Sequence, residues 1–162
     1  MFLLQHNDWG LMEINYKNSL LFQMISTAKY FEKLFEQYIK ELNTGISPSE
    51  HFALCVIKQT ENCCQRDLAK IILKDRANTG KLVASLEEKG YISIELKTKD
   101  NRPVKILTIT QEGKTIVKKV GKHIETILQK IIDEISLPII NQTKENLKIV
   151  KTSVEKIVKT NI

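Results

Sequence analysis

The polar side chains of one predicted helix, spanning Asp75–Lys89, are of the types that read base pairs. They lie mostly on or beside the face opposite Leu82, Val83 and Leu86, which mark the buried side. Asn can hydrogen-bond adenine through two atoms, and Arg or Lys can do the same to guanine. Gly80 would let the helix approach a base or a phosphate closely. The candidate base-reading residues of this helix are Arg76, Asn78, Lys81 and Ser85.

A second polar cluster falls in a predicted charged turn, Lys97–Pro103. Alternating apolar residues at 91–96 and the run at 104–109 predict the two strands of a hairpin around this turn. A basic tip of this kind can reach a neighbouring phosphate backbone or minor groove. Around Asp100 the tip carries Lys97, Lys99, Asn101 and Arg102.

The elements that must position these residues are short helices. Ser47-Pro48-Ser49-Glu50 has the pattern of a capping box, which predicts a helix from there to about Lys58. A short helix at Gln65–Ile72 and a turn at 73–74 then lead into the Asp75–Lys89 helix, which Gly90 ends. In the first of these helices we expect Phe52, Leu54, Val56 and Ile57 to be buried to varying degrees. This order of helices followed by a hairpin predicts a winged helix-turn-helix.

Long amphipathic helices flank this middle region. Apolar residues recur every three or four positions over 17–42, over 116–135 and again after Pro138. A helix of 26 residues would be roughly 39 Å long, more than the middle region needs. These stripes pack either as an ordinary three-helix core or against a second copy of the chain. The expected fold is mainly α with a small β-hairpin wing (α+β): dimerisation helices at 1–45 and 114–162 flank a DNA-binding lobe at 46–113, all within one compact domain.

Composition narrows the class of protein. The chain has 162 residues, 25 Lys and Arg against 19 Asp and Glu, and 42% hydrophobic residues, which fits a folded basic protein. The net charge is only +2 over 46–113 and +5 over 114–162, so bulk charge supports nucleic-acid binding weakly. No signal peptide or apolar run of membrane-spanning length is evident, and three cysteines suit a reducing cytoplasm. No motif indicates an enzyme, and we expect no cofactor.

Three motifs resemble the MarR family (multiple antibiotic resistance type) of bacterial transcription regulators. The stretch from Cys64 to Ile92 is similar to that family's helix-turn-helix without a gap, including Leu86-Glu87-Glu88-Lys89-Gly90 at its exit. Asp100-Asn101-Arg102 is similar to the family's Asp-x-Arg wing signature, and Thr110-Gln-Glu-Gly113 to the start of the next helix. Thr79 and Gly80 depart from the family pattern, Pro103 follows the wing arginine directly, and Cys64 stands where Thr or Ser is common.

The resemblance implies a homodimer that binds a pseudo-palindromic operator, with the wing arginine entering the minor groove. It also implies regulation, most often repression, that is relieved by a small aromatic ligand or an oxidant. The expected DNA-binding residues are Gln65, Arg76, Asn78, Thr79, Lys81, Ser85, Lys99, Asn101 and Arg102. Aromatic residues that could line a ligand cleft, or simply form core, are Trp9, Phe31, Phe35, Tyr38 and Phe52.

Cys64 is a candidate oxidant sensor. A thiol at a helix N-terminus lies near unpaired N–H groups, which favour thiolate, and Arg66 is close in sequence. Cys63 or Cys55 could then act as the resolving partner. The alternative is that all three cysteines are structural or incidental. His6, His51 and His123 show no metal-ligand spacing, so no metal site is predicted.

A different class of function would use the same fold. A winged helix can bind a protein partner and no DNA, in which case Arg76, Asn78 and Arg102 would be dispensable for binding. Selection of DNA from a random pool separates the two interpretations.

Overall fold

The structure, a computed structural model, describes residues 16–99 and 102–160. Trp9, His6, Asp100 and Asn101, which the sequence analysis singled out, lie outside these residues. A short 3-10 turn at Tyr16–Asn18 precedes six helices and one hairpin in the described ranges. They are α1 (Leu20–Glu41), α2 (Pro48–Gln59), α3 (Gln65–Ile72), α4 (Arg76–Glu88), β1 (Ile92–Lys99), β2 (Arg102–Ile109), α5 (Gln111–Ile135) and α6 (Leu137–Thr160).

Side-chain caps begin the helices where the sequence places them. Ser47 accepts a hydrogen bond from the Glu50 backbone N–H at 3.2 Å, and the Glu50 carboxylate accepts from the Ser47 N–H at 2.7 Å. This capping box satisfies two backbone donors at the start of α2. Thr110 likewise caps α5 by accepting from the Gly113 N–H at 3.0 Å. The first helix starts later than predicted, because Ser19 caps it and the preceding residues form the 3-10 turn.

The hairpin is longer than predicted and its turn is shorter. β1 and β2 pair in antiparallel register from Ile92↔Ile109 out to Lys99↔Arg102. The expected seven-residue turn at 97–103 is therefore wrong, since Lys97 and Pro103 belong to the strands. Val104 pairs with Lys97, which places this charged stretch on the two strands of the wing.

One apolar core holds the middle helices and the hairpin together. Leu54, Leu68, Leu86 and Val120 are fully buried, so α2, α3, α4 and α5 each contribute to the same apolar centre. The wing joins it through Ile92 and Leu107. Phe52 does not join it, because its side chain is 54% exposed, and the expectation that it is buried is wrong for the single chain.

The terminal helices are much less covered. α6 has no buried residue between 137 and 158, and its apolar side chains, such as Leu147 and Val154, are exposed. On α1, Leu20, Leu21 and Ile25 are exposed as well. Ser136, with φ 79° and ψ 144°, forms the whole link between α5 and α6. None of the described helices has the length and apolar character needed to cross a membrane.

Candidate DNA-binding surface

The first turns of α4 present three polar side chains to solvent. Arg76, Asn78 and Lys81 are all exposed, as the sequence predicts. Asp75 caps the helix: its Oδ1 accepts from the Asn78 N–H at 2.8 Å, and its Oδ2 accepts from Asn78 Nδ2 at 2.5 Å. These backbone and side-chain hydrogen bonds from Asn78 lower the pKa of Asp75. The cap therefore fixes the orientation of the Asn78 amide at the open end of the helix.

Two residues of the expected DNA-binding set are occupied elsewhere. Thr79 is fully buried, and its hydroxyl donates to the Asp75 carbonyl oxygen at 2.8 Å. Ser85 donates its hydroxyl to Glu50 Oε1 at 2.7 Å. Because Thr79 is buried, it cannot contact a base, and its place among the expected DNA-binding residues is wrong. The Ser85 hydroxyl is already hydrogen-bonded within the protein. The sequence pattern could not predict either contact, because it showed only that both residues are polar and lie on a helix.

Gln65 lies beside the middle of α4. It is the first residue of α3, and its side chain is half-buried. A Cβ atom built at Gly80 would lie 3.3 Å from Gln65 Nε2. The space left by Gly80 is thus taken by a neighbouring side chain, which corrects the expectation that the bare glycine backbone would meet a base or phosphate.

The wing holds the remaining expected residues at its far end. Lys99 and Arg102 are the last paired positions of the hairpin, while Asn101 lies outside the described residues. At the near end, the Leu107 N–H donates to the Cys63 carbonyl oxygen at 2.8 Å, and Cys64 bridges to Ile106. The wing is therefore joined through its backbone to the segment that leads into α3.

A buried carboxylate joins α2 to α4, a role that the sequence analysis did not predict. Glu50 is 5% exposed, and its Oε1 accepts from Lys89 Nζ and from the Ser85 hydroxyl, each at 2.7 Å. Lys89 Nζ also donates to the Gly45 carbonyl oxygen at 2.8 Å. Burial acts to raise the pKa of Glu50, but the hydrogen bonds from Lys89, Ser85 and Ser47 outweigh it and leave the pKa below its ordinary value. The only signal in the sequence was the capping box, which does not reveal the contacts with α4.

The cysteines do not form an accessible sensor. Cys63 is fully buried, and burial, with the nearby Cys64 and Asp67, raises the pKa of its thiol to about 11. Cys64 is 7% exposed, makes no cap hydrogen bond, and donates to Asp67 Oδ2 at 2.9 Å. Burial also raises the pKa of Cys55. The geometry favours the structural interpretation of these thiols.

The predicted aromatic residues that the structure describes do not line one cleft. Phe31 and Phe35 contact each other on α1, with ring centroids 6.0 Å apart, and Tyr38 lies 5.5 Å from the ring of His123 on α5. Clefts of about 320 and 250 Å³ open on the described surface, and neither contains these residues. The larger lies between the start of α2 and α4 and is lined by Ser47, Ser49, Glu50, Lys74, Asn78, Lys81 and Leu82. In the described ranges no three His, Cys, Asp or Glu side chains group closely enough to hold a metal ion.

Comparison with known families and sequences finds a DNA-binding domain and one transcriptional regulator. Residues 51–128 match the family described as winged helix DNA-binding domain. YdgJ of Bacillus subtilis, described as an uncharacterized HTH-type transcriptional regulator, is 26% identical over 117 residues, which cover 72% of this chain and 68% of YdgJ.

Solved structures of three proteins are among those that share this fold. The MepR–DNA complex of S. aureus matches with a TM-score of 0.70 and 19% identity over 84% of this chain and 96% of that one. Wild-type MarR of E. coli, in its apo form, matches with a TM-score of 0.69 and 18% identity over 82% of this chain and 96% of that one. BpsR of Bordetella bronchiseptica, whose DNA binding is regulated by 6-hydroxynicotinic acid, matches with a TM-score of 0.72. It is 16% identical over 83% of this chain and 94% of that one.

The capped helix α4, the joined wing and these matches give the chain a winged helix fold, and residues 51–128 resemble a winged helix DNA-binding domain. The fold is also that of solved MarR-family transcription regulators. The resemblance drawn from the helix-turn-helix, the wing signature and the motif at Thr110 is confirmed, as is the mainly α fold with a hairpin wing.

Proposed function

We propose that this chain is a homodimeric, sequence-specific DNA-binding regulator that represses transcription in the bacterial cytoplasm. The observation that carries the proposal is the exposed end of α4. Arg76, Asn78 and Lys81 project from its first turns, while the other face is packed into the core. A helix of this kind fits the major groove, where Arg, Lys and Asn can distinguish base pairs.

The wing extends the proposed surface. Arg102 and Lys99 end the hairpin, and the wing is bonded to the segment before α3 rather than hanging free. We assign Arg102 and Asn101 to the minor groove beside the site read by α4, and Lys99 to a phosphate. MepR was solved in complex with DNA, which supports this use of the shared fold.

The terminal helices supply the proposed dimer interface. Apolar side chains remain exposed along α1 and α6, including Ile25, Leu147 and Ile157. Apolar area left open along two long helices is the feature that an obligate interface covers. A two-fold dimer would present two copies of α4 to successive turns of a pseudo-palindromic site.

A small aromatic molecule is the effector that we favour over an oxidant. BpsR, whose DNA binding responds to 6-hydroxynicotinic acid, has the same fold. The burial of Cys63 and Cys64 gives the oxidant alternative no support. Phe52, exposed in the single chain, is available to a ligand that lies between the lobe and the terminal helices.

The test is selection of bound DNA from a random pool at low salt, followed by affinity measurements. We expect a dyad-symmetric site whose affinity falls by roughly tenfold or more in Arg76→Ala and Arg102→Ala, since each base or phosphate contact contributes about 1–3 kcal/mol. Lys130→Ala, which removes an exposed charge near the C-terminal end of α5, is the matched control and should change the affinity little.

Two outcomes would contradict the proposal. Failure to enrich any DNA would favour the alternative, a winged helix that binds a protein partner. In a second test, the selected site is placed upstream of a reporter gene. If supplying the regulator raises the expression of that reporter, the protein is an activator and not a repressor.

A further inference from the structure

At Gly80 the side-chain amide of Gln65, from α3, lies close to the backbone of α4. A Cβ at this position would stand 3.3 Å from Gln65 Nε2, closer than the 3.4–4 Å of ordinary van der Waals contact. The close neighbour is the end of a side chain and not backbone. The Gln65 amide therefore lies over the part of α4 where residue 80 would otherwise carry its own side chain.

The helix face around Gly80 has few polar groups of its own. Ala77 and Ala84, which precede and follow Gly80 by about one turn, are exposed and offer no hydrogen-bonding side-chain atoms. Arg76 is the polar neighbour one turn earlier. The Gln65 amide makes no side-chain hydrogen bond to another residue within the described ranges. Its donor and acceptor are thus available beside the exposed end of α4.

A glycine inside a helix weakens that helix, so its presence at position 80 calls for a compensating reason. The contact with Gln65 supplies one. Any side chain at 80 would displace the amide sideways or outward by a few tenths of an ångström at least. Hydrogen bonds to base edges depend on such distances, because the bonded atoms must stay within about 2.7–3.2 Å.

We propose that Gln65 reads a base from α3 and that Gly80 is the positioning residue that lets it do so. A glutamine amide can pair with adenine through its N6 and N7 atoms in the major groove. Sequence preference at one position of each half-site then depends on two residues from different helices. This inference rests on the proposed DNA-binding function and adds a determinant of specificity to it.

The experiment compares Gly80→Ala, Gln65→Ala and the double variant by selection from the random pool and by affinity for single-base variants of the wild-type site. Gly80→Ala and Gln65→Ala should each reduce discrimination by about tenfold, at the same base position. The double variant should be no worse than Gln65→Ala alone, because the two residues act through one contact. Discrimination at the other positions should remain.

Gly121→Ala is the matched control. It makes the same substitution inside α5, where a Cβ would meet nothing within 4 Å. Both glycine variants should keep or raise the melting temperature, since Ala favours a helix more than Gly does. Only Gly80→Ala should change the base preference.

Three results would overturn the inference. The base preference could be unchanged in Gly80→Ala and Gln65→Ala, the two variants could alter different positions, or affinity could fall equally for all sequences, as expected if the contact only supports packing. If the wild-type site is found and depends on Arg102, such a result rejects the inference alone. If the wild-type protein selects no DNA, the proposed function fails and this inference fails with it.

Discussion

Glu50 is the residue at which the start of α2 and the end of α4 are joined. A carboxylate removed from water is stabilised only if its oxygen atoms are well paired. Here they accept from Lys89, from Ser85 and from the Ser47 backbone. The charge is therefore a source of stability at neutral pH and also the reason for a specific dependence on acid.

We expect Glu50→Gln to lower the free energy of unfolding by roughly 2 kcal/mol at pH 7, the typical contribution of a hydrogen bond to a charged group. The pKa of folded Glu50 lies below its ordinary value of 4.5. Stability from this carboxylate is thus fully present above about that pH and is lost as the pH falls through the folded-state pKa. Urea unfolding between pH 7 and pH 3 should show the wild-type advantage shrinking with acid.

Glu88→Gln provides the control for this effect. Glu88 is an exposed acid at the end of α4, next to Lys89 in sequence. Its replacement should change stability by less than about 0.5 kcal/mol, as is usual for surface positions. A constant difference between wild type and Glu50→Gln across the whole pH range would contradict the assigned role.

At the residue scale, local contacts could be predicted and distant ones could not. The capping roles of Ser47, Glu50 and Thr110 follow from spacing of three residues, which any helix start obeys. The contact of Ser85 with Glu50 joins residues 35 positions apart. Thr79 is polar and sits among polar neighbours, so its complete burial follows only from how α4 turns against the core.

At the scale of the elements, the junction between the wing and α5 is tightly fitted. Gly113 is buried in the first turn of α5, where a Cβ would overlap the Tyr91 carbonyl oxygen and lie 2.8 Å from Ile109 Cγ1. The Tyr91 carbonyl also accepts from the Thr110 N–H at 3.0 Å, so it cannot move away freely. The glycine in Thr110-Gln-Glu-Gly113 is therefore required by packing.

Gly113→Ala is expected to destabilise the protein by about 1–3 kcal/mol, the usual cost of forcing extra atoms into a packed site. Gly121→Ala, in the same helix but with open space around it, should instead stabilise by up to about 1 kcal/mol. Thermal unfolding of both variants measures the contrast. Equal effects of the two substitutions would show that helix preference, and not the Tyr91 contact, governs position 113.

The turn between α3 and α4 carries strain that a substitution can relieve. Leu73 adopts the left-handed conformation, with φ 53° and ψ 41°, and its side chain is 86% exposed. This conformation costs an L-residue roughly 1–2 kcal/mol, and glycine avoids most of that cost. Leu73→Gly should therefore raise the stability by about 1 kcal/mol in denaturant unfolding.

Leu73→Ala separates the two contributions of this residue. It removes the exposed side chain but keeps a Cβ, so it should not share the gain. If the glycine and alanine variants are equally stable, backbone strain at Leu73 is not the cause.

Element types could be predicted from periodicity, whereas two boundaries could not. The charges of residues 97–103 indicated a turn, yet pairing through Lys99↔Arg102 extends the strands. Charged residues suit an exposed hairpin as well as a loop, so composition cannot separate them. Similarly, the apolar pattern placed the start of the first helix at residue 17, whereas Ser19 caps α1 by accepting from the Phe22 N–H.

At the scale of the whole molecule, large apolar side chains remain exposed along α1 and α6. Leu147 and Val154 are seven residues apart, which places them on the same face of α6, and both are about half exposed. The stripes of these helices were visible in the sequence. The sequence did not show whether these stripes pack as a three-helix core or against a second copy of the chain, because that depends on the packing of α6.

We expect the wild-type chain to sediment at twice its single-chain mass and Leu147→Glu/Val154→Glu to shift toward the single chain. Each charge placed in an apolar interface without a partner costs about 1–3 kcal/mol or more. Thr152→Glu, on a different face of α6, should leave the dimer intact. Analytical ultracentrifugation over a concentration series measures both, and a wild-type protein that stays single at high concentration would contradict the proposed dimer.

The backbone bond between Leu107 and Cys63 has a consequence for how DNA could be released. This bond and the bridge between Cys64 and Ile106 join the base of the hairpin to the segment before α3, so in the proposed regulator we expect α3, α4 and the wing to move together. In that case we expect the proposed effector to release DNA without moving the wing by itself. It would instead change the distance between the two copies of α4 in the proposed dimer, so that they no longer fit both halves of the operator at once.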